Sequence, residues 1–490
     1  MDFRNGAGEG DGATGQGPAL RLHARHRPGR DPARGDGAWG GSAPGREGCG
    51  TVTVPSLTLW YEGREVGRLD RVGTADTDLG LTYHPDWQAD PRSFPVSILF
   101  PLDKTRHEGK PVFFWFMNLL PEGQTLELVG KLLLTSELDV LSLMERMGGD
   151  LPGALVVRRT GEPFMPRPHR FHRWSAAELA DAMRRLPKRP LLAGEEGVEM
   201  SMAGQQDKLP VLQLPDGSLA LPLDGHPSTH VLKPRSEKLA ASVDNEAYCM
   251  RLARACRIAT AEVTVGRAQD IDYLLVRRYD RVVGQDGAIR RLHQEDLCQA
   301  LGYPPFQKYE WNQRLQGRGP GVADLFRAVT VGPRQALNRA ALLDMLIFNI
   351  LVCNVDAHAK NYSLLYNGRV PEMAPLYDVM CGDVYDGVTR NLSQKIAGKS
   401  RGGHIHARHW QRLAREVGLS APGVLKRVDQ LSSRVLEASG PVAAAMAAEL
   451  PDSWMIAQMV PVIQERCRRM QANLRTSLDE AGGGAPEDAP

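Results

Sequence analysis

Asp356-Ala357-His358-Ala359-Lys360-Asn361 stands just beyond the longest apolar run of the chain, Ala341 to Cys353. An aspartate followed five positions later by an asparagine is the spacing of a phosphoryl-transfer loop, in which the carboxylate accepts the proton of a substrate hydroxyl and the asparagine holds magnesium. The apolar run predicts a buried helix that presents these polar groups from a rigid base. It carries Asp344 and Asn349 and is too short to span a bilayer. Chance produces D-x-x-x-x-N often, so the order of the surrounding groups has to decide its meaning.

Downstream, Pro375-Leu376-Tyr377-Asp378 places a second carboxylate 17 positions after Asn361. Metal ions that bridge ATP phosphates need a further oxygen ligand, and Asp378 is the candidate. Upstream, His230-Val231-Leu232-Lys233 reads as a strand. Glu246 stands one turn into a helix predicted over Ser242 to Arg254, which Ser242 could cap. Tyr248, Leu252 and Ala255 would form the apolar face of that helix. A strand lysine fixed by a helix glutamate is how kinases hold the α- and β-phosphates. Ahead of this strand, Ser201-Met202-Ala203-Gly204-Gln205-Gln206-Asp207-Lys208 occupies the place of a phosphate-covering loop, whose N–H groups could wrap phosphate oxygens. With one glycine, it matches neither common phosphate-loop pattern.

Composition agrees with a globular chain. Its 490 residues are 42% hydrophobic and 24% charged, enough for two to four ordinary domains, and the formal net charge of +2 demands neither nucleic acid nor membrane as partner. Seven widely spaced cysteines without C-x-x-C argue against a disulfide framework or a zinc site and for a reducing cytoplasm. Residues 1–50 hold 14 of the 50 glycines, almost no bulky apolar residues and no signal-like apolar stretch. They read as a disordered tail, or as the product of a start codon placed too far upstream.

The remaining organisation follows from periodicity. Leu57 to Gly67 predicts two strands around a Glu-Gly turn, Pro111 to Met117 a buried apolar segment, and 124–148 helical spacing. Arg158 to Arg189 is rich in proline and arginine and reads as a linker. Val211–Leu214 and Leu219–Leu221 flank a Pro-Asp-Gly-Ser turn, and Leu274–Val276 predicts another strand. From about Glu295 to Leu474 helical patterns dominate. The expected divisions are a tail over 1–52, a small mixed domain over 53–155, a β-rich lobe over 156–292, a helical lobe over 293–478 and a polar tail over 479–490.

Taken together, these motifs resemble the HipA family of serine/threonine kinases over nearly all of residues 55–475. The resemblance is carried by Asn118-Leu119-Leu120-Pro121-Glu122-Gly123, Ser201 to Lys208, Ser242 to Glu246, Arg278-Tyr279-Asp280-Arg281, His293-Gln294-Glu295-Asp296, Asp356 to Asn361 and Leu376-Tyr377-Asp378. It implies an α+β fold, with a small mixed N-terminal domain ahead of a bilobal protein-kinase-like body, β-rich N-lobe first and helical C-lobe second. It implies Asp356 as catalytic base, Asn361 and Asp378 as Mg2+ ligands, and Lys233 as the ATP-phosphate lysine, held by Glu246. Met202, Ala203, Gly204, Gln205, Gln206, Asp207 and Lys208 match the phosphate loop, in which Gln205 and Asp207 depart from the family pattern. Ser201 matches a serine that family members autophosphorylate, which ejects the loop and silences the kinase. Arg277 and Tyr279 fall in the adenine hinge, where Arg277 departs from an expected acidic residue. An aminoacyl-tRNA synthetase as substrate, a small helix-turn-helix antitoxin as partner, and DNA contact mostly through that antitoxin are further implications.

Other features have plainer readings. His404, His406 and His409 lack a fourth ligand nearby and do not predict a metal site. His358 is expected to orient its loop by hydrogen bonding, and Cys353 and Cys381 to be inert buried thiols. Residues 306–320, with Lys308, Arg314 and Arg318, read equally as a mobile substrate-contacting segment or an ordinary surface loop. A small-molecule phosphotransferase of similar lobes shares the Asp–Asn–Asp set, and a non-catalytic co-repressor is the remaining alternative. The N-terminal domain and the Ser201 loop argue against the first, and the intact Lys233, Asp356, Asn361 and Asp378 against the second.

Overall fold

The computed structural model describes residues 56–162, 164, 170–312, 317–451 and 453–479. The tail expected over 1–52, most of that over 479–490, and Arg314 lie outside the described residues. No described helix is long and apolar enough to cross a membrane.

The chain opens with β1 (Leu57–Tyr61), β2 (Arg64–Arg71) and β3 (Leu79–Tyr83), followed by α1 (Pro85–Ala89), β4 (Arg106–Glu108) and α2 (Lys110–Met117). Then come α3 (Gln124–Leu132), α4 (Val140–Met147) and β5 (Val156–Arg159). The strands form one antiparallel sheet in the order β4-β3-β2-β1-β5, and Leu57, Leu59, Val66, Leu69, Leu79 and Leu81 are wholly buried. Pro111 sits in the first turn of α2, where its missing N–H costs nothing, and five of the eight helix residues are buried. This helix leads directly into Asn118–Gly123.

The second layer contains β6 (Arg170–Arg173), α5 (Ala176–Arg185), β7 (Leu209–Gln213), β8 (Leu219–Leu223), β9 (His230–Pro234), α6 (Ser242–Ala255), β10 (Val263–Ala268) and β11 (Ile271–Arg277). Its sheet runs β10-β11-β9-β7-β8-β6. Three sequence readings need correction here. The 158–189 stretch is no plain linker: β6 adds an edge strand to this sheet, and α5 is started by a Ser175/Glu178 capping box. Ser242 is not the cap of α6. That position belongs to Ala241, in a left-handed conformation (φ 48°), while the Ser242 hydroxyl receives the Ser236 N–H at 2.9 Å. Nor does Ala255 face the core: it is exposed, and the buried stripe runs through Tyr248, Cys249, Leu252, Ala253 and Cys256.

Beyond it lie β12 (Arg281–Val283), β13 (Ile289–Arg291), β14 (Gln294–Asp296), α7 (Leu297–Leu301), β15 (Trp311–Asn312), β16 (Gly317–Arg318), α8 (Val322–Val329) and α9 (Gln335–Leu351). The chain ends in β17 (Ser363–Asn367), β18 (Val370–Met373), β19 (Asn391–Ile396), β20 (Lys399–Arg401), α10 (Ala407–Glu416), α11 (Ala421–Met446) and α12 (Trp454–Asp479). The C-lobe is thus helical in mass but carries short sheets around its loops, β14-β17-β18 among them. Their strands, two to six residues long, are too short to show a period in sequence. The apolar run reads out as α9, with Leu342, Leu343 and Met345 to Leu351 all buried. One continuous core joins these parts, from Leu57 to Met470.

Candidate active site

Between the two lobes lies a cavity of about 440 Å³. Its walls include Met202 to Lys208, Lys233, Arg277, Tyr279, Asp356, Asn361 and Asp378, which come from five separate segments of sequence. Most of the residues singled out from sequence are therefore brought together. Two stand behind the wall: Glu246, 2% exposed, and Ser201, 0% exposed.

Lys233 reaches from β9 toward the floor of the cavity. Its Nζ donates to Glu246 Oε1 at 2.7 Å and to Asp378 Oδ1 at 2.8 Å. Burial disfavours the ammonium charge, but the carboxylates of Asp378 and Glu246 outweigh it and hold the Lys233 pKa above its usual value. Asp378 is held well below the usual carboxylate range: burial alone would raise it, and Lys233 and Lys208 overcome that. Glu246, deeper and drier, is pushed up by burial despite Lys233. Asp378 also adopts a left-handed backbone (φ 60°), an unfavourable conformation of the kind that concentrates at functional sites.

Opposite, the loop after α9 folds as a single 3₁₀ turn over Ala359–Asn361. The Asn361 side-chain N–H donates to the Asp356 carbonyl at 3.2 Å, which turns the amide oxygen away from that carbonyl. Tyr309 donates its hydroxyl to Asp356 Oδ1 at 2.7 Å. His358 is buried, packs edge-on against the Tyr309 ring and leaves Nδ1 without a partner among the described residues. Burial and nearby Lys308 keep its pKa well below the usual histidine value, so the ring is neutral.

The Ser201–Lys208 loop lies across the mouth. Gly204 takes φ 102°, open to glycine and strained for other residues, and its carbonyl accepts the Glu122 N–H at 3.2 Å. Lys208 Nζ turns back onto the Ala203 carbonyl. Burial and the neighbouring Lys233 push Lys208 down to about 8. Burial also raises the Asp207 carboxyl. Ser201 donates its hydroxyl to the Leu119 carbonyl at 2.8 Å, and its N–H bonds the Asp150 carbonyl. At the expected adenine hinge, the Arg277 guanidinium is exposed and pairs with Glu262 Oε2 at 3.0 Å, while Tyr279 packs on Tyr377 and donates to Gln294 Oε1. The buried arginines are instead Arg278 and Arg281, both paired with Asp150 and Asp280.

Sequence reasoning passed over several groups at this site. Lys308 is not on the surface: it is 8% exposed and bonds Glu122 Oε2 at 2.7 Å. Lys360 donates to Asn118 Oδ1 at 2.7 Å and to Asp296 Oδ2 at 2.6 Å. The motifs containing Asn118, Glu122 and Lys360 were visible, but their mutual contact was not. Nothing in the sequence distinguished Tyr309. The histidines at 404–409 have a structural use, since His409 Nδ1 accepts the His406 N–H at the start of α10.

A β-rich lobe and a helical lobe closing on a lysine, two aspartates and an asparagine define a kinase. The sequence matches the HipA N-terminal domain over residues 57–158 and the HipA-like C-terminal domain over 200–439. It is 37% identical over 397 residues to the putative kinase Y4mE of Sinorhizobium fredii, covering 79% of this chain and 91% of that protein. It is 28% identical over 405 residues to the serine/threonine-protein kinase toxin HipA of Shewanella oneidensis, covering 79% and 89%. The solved structure of HipA from Shewanella oneidensis MR-1, in complex with HipB and its operator DNA, superposes with a TM-score of 0.75 at 25% identity, over 86% of this chain and 99% of that one. The chain belongs to the HipA family, and it is a kinase.

Proposed function

We propose that the chain is a kinase toxin that transfers the γ-phosphoryl group of ATP to a serine or threonine of another protein, and that phosphorylation of its own Ser201 switches it off. The observation that carries this reading is Lys233, fixed by Glu246 and Asp378 on one wall of a cavity whose other wall is the Asp356–Asn361 loop. In this reading Lys233 and Lys208 bind phosphate oxygens, and the N–H groups of 202–208 wrap them. Val231, Ala261 and Val276 offer the base an apolar slot beside the 277–279 backbone. Asp356 accepts the hydroxyl proton of the acceptor, while Tyr309, bonded to Oδ1, orients the carboxylate.

Asn361 and Asp378 are the residues to hold Mg2+. An ionised carboxylate and an amide oxygen are hard donors that suit this cation. When bound, it would neutralise charge on the transferring phosphate. The Shewanella relative forms a complex with HipB and operator DNA. By that likeness the partner here is a small DNA-binding antitoxin, with DNA reached mainly through it and with action in the cytoplasm. An aminoacyl-tRNA synthetase is the expected substrate. The test is incubation with labelled ATP, Mg2+ and a cell lysate: the wild type should label Ser201 and one dominant protein, and Asp356→Asn neither. Full activity of that variant would remove Asp356 from its role.

A further inference from the structure

Residues 118–123 belong to the N-terminal domain, yet they touch both walls of the cleft. On one side their main chain holds the phosphate loop: Leu119 O accepts from Ser201 Oγ at 2.8 Å and Glu122 N donates to Gly204 O at 3.2 Å. Thr125, just beyond, donates to Gln205 O at 3.2 Å. On the other side their side chains and carbonyls hold the catalytic loop. Lys360 Nζ has three donors, and they go to Asn118 O at 3.0 Å, Asn118 Oδ1 at 2.7 Å and Asp296 Oδ2 at 2.6 Å. Glu122 Oε2 binds Lys308 at 2.7 Å, and Glu122 Oε1 lies 4.0 Å from Lys360.

These charges are dry. Glu122, Lys308 and Lys360 are each 6–8% exposed, and an ammonium group so placed is tolerable only with acceptors in reach. Burial would raise the Glu122 pKa, but Lys308 and Lys360 outweigh it and keep the carboxylate ionised. The route from Glu122 to the base is short. Lys308 O accepts the Ala359 N–H at 3.1 Å, and the adjoining Tyr309 bonds Asp356.

We infer that Asn118 and Glu122 are positioning residues for phosphoryl transfer. They align Asp356 through Lys308 and Lys360, while the same segment's backbone seats the phosphate loop, so that closing the loop and aligning the base are one cooperative event. This rests on the kinase reading above. It adds that the N-terminal domain completes the active site, and that expulsion of the Ser201 loop misaligns Asp356 as well as releasing ATP.

The test uses the full chain. Glu122→Gln keeps shape and removes charge; its kcat for transfer from labelled ATP should fall about 10- to 100-fold, as for a misplaced catalytic group, with the KM for ATP within about threefold. Lys308→Arg, which keeps the charge, should retain most of kcat. Combining Glu122→Gln with Lys308→Met should cost little more than the worse single change. Amide exchange in Glu122→Gln should speed up over 201–208 and 356–361 and stay unchanged in α11. Wild-type kcat in Glu122→Gln, or exchange raised evenly along the chain, would reduce the segment to domain glue and overturn the inference. If the wild type transfers no phosphoryl group at all, the kinase reading fails, and the exchange pattern still decides whether the two loops are coupled.

Discussion

Tyr309 and Asp356 are 47 positions apart, and the phenol of the first donates to Oδ1 of the second at 2.7 Å. The bond engages one carboxylate oxygen and so restrains the direction from which a hydroxyl can be deprotonated. Tyr309→Phe keeps the ring against His358 and removes the hydroxyl that makes that bond. Its kcat should fall about tenfold, at the low end for a lost orienting contact, with the KM for ATP unchanged. Steady-state kinetics on the purified variant check this. A wild-type kcat would show that the loop alone orients Asp356.

The buried triad makes a stability prediction. Removing Lys233 as Lys233→Met leaves Glu246 and Asp378 without the cation that bonds both, and breaking a buried pair this way costs about 3–5 kcal/mol. Asp378 is the more exposed partner at 38%, and solvent at that side places the cost at the lower end. Adding Glu246→Gln removes the uncompensated buried charge, so the double variant should unfold at a higher denaturant concentration than Lys233→Met. Neither should transfer phosphate. Urea titration of both separates the two consequences. A double variant no more stable than the single one would mean that Glu246 is not charged there.

How much of this could be read from sequence depends on how far apart the partners are. The order Lys233, Glu246, Asp356, Asn361, Asp378 was legible because each stands on an element with its own local signal: an apolar strand, a helix turn, the end of a long apolar run. The contacts of Glu122 with Lys308 and of Lys360 with Asn118 span 186 and 242 positions and leave no local pattern. Lys308 lies in a 306–320 stretch that also holds Arg314, Arg318 and two glycines, the composition of a surface loop. Burial of its charge is decided by tertiary structure alone. Ser242 failed for a related reason: serine is a good capping residue, but the chain enters α6 through a left-handed Ala241, which leaves the hydroxyl one position too late.

Lys208 gives the site a pH dependence. Burial and Lys233 bring its pKa from 10.5 to about 8. In the free enzyme it therefore sheds its proton as pH rises through about 8, and with it a positive charge facing the phosphates. Since kcat/KM reports groups of the free enzyme, kcat/KM for ATP should decline above pH 8. Lys208→Arg should flatten that limb. The sign for stability is opposite. Between about 8 and 10.5 the unfolded chain binds more protons than the folded one, so stability rises with pH across this window as the cost of the buried charge is relieved. A pH profile with the same limb in Lys208→Arg would assign it to another group.

Ser201 offers the last test, because it is wholly buried and its hydroxyl is spent on the Leu119 carbonyl. Ser201→Ala loses one neutral hydrogen bond, worth about 1 kcal/mol, and leaves the loop seated, so phosphorylation of other proteins should persist while labelling at this position stops. Ser201→Asp brings a carboxylate up to a carbonyl oxygen in a dry place, with no donor to replace the hydroxyl. The loop should leave its seat, taking the Gly204 and Gln205 contacts with Glu122 and Thr125 along with it. Limited proteolysis should then cut within 201–208 faster than in the wild type, and affinity for ATP should drop at least about tenfold, the equivalent of a single lost charge-assisted bond. Should Ser201→Asp bind ATP as tightly as the wild type, negative charge at this position would not be what opens the loop.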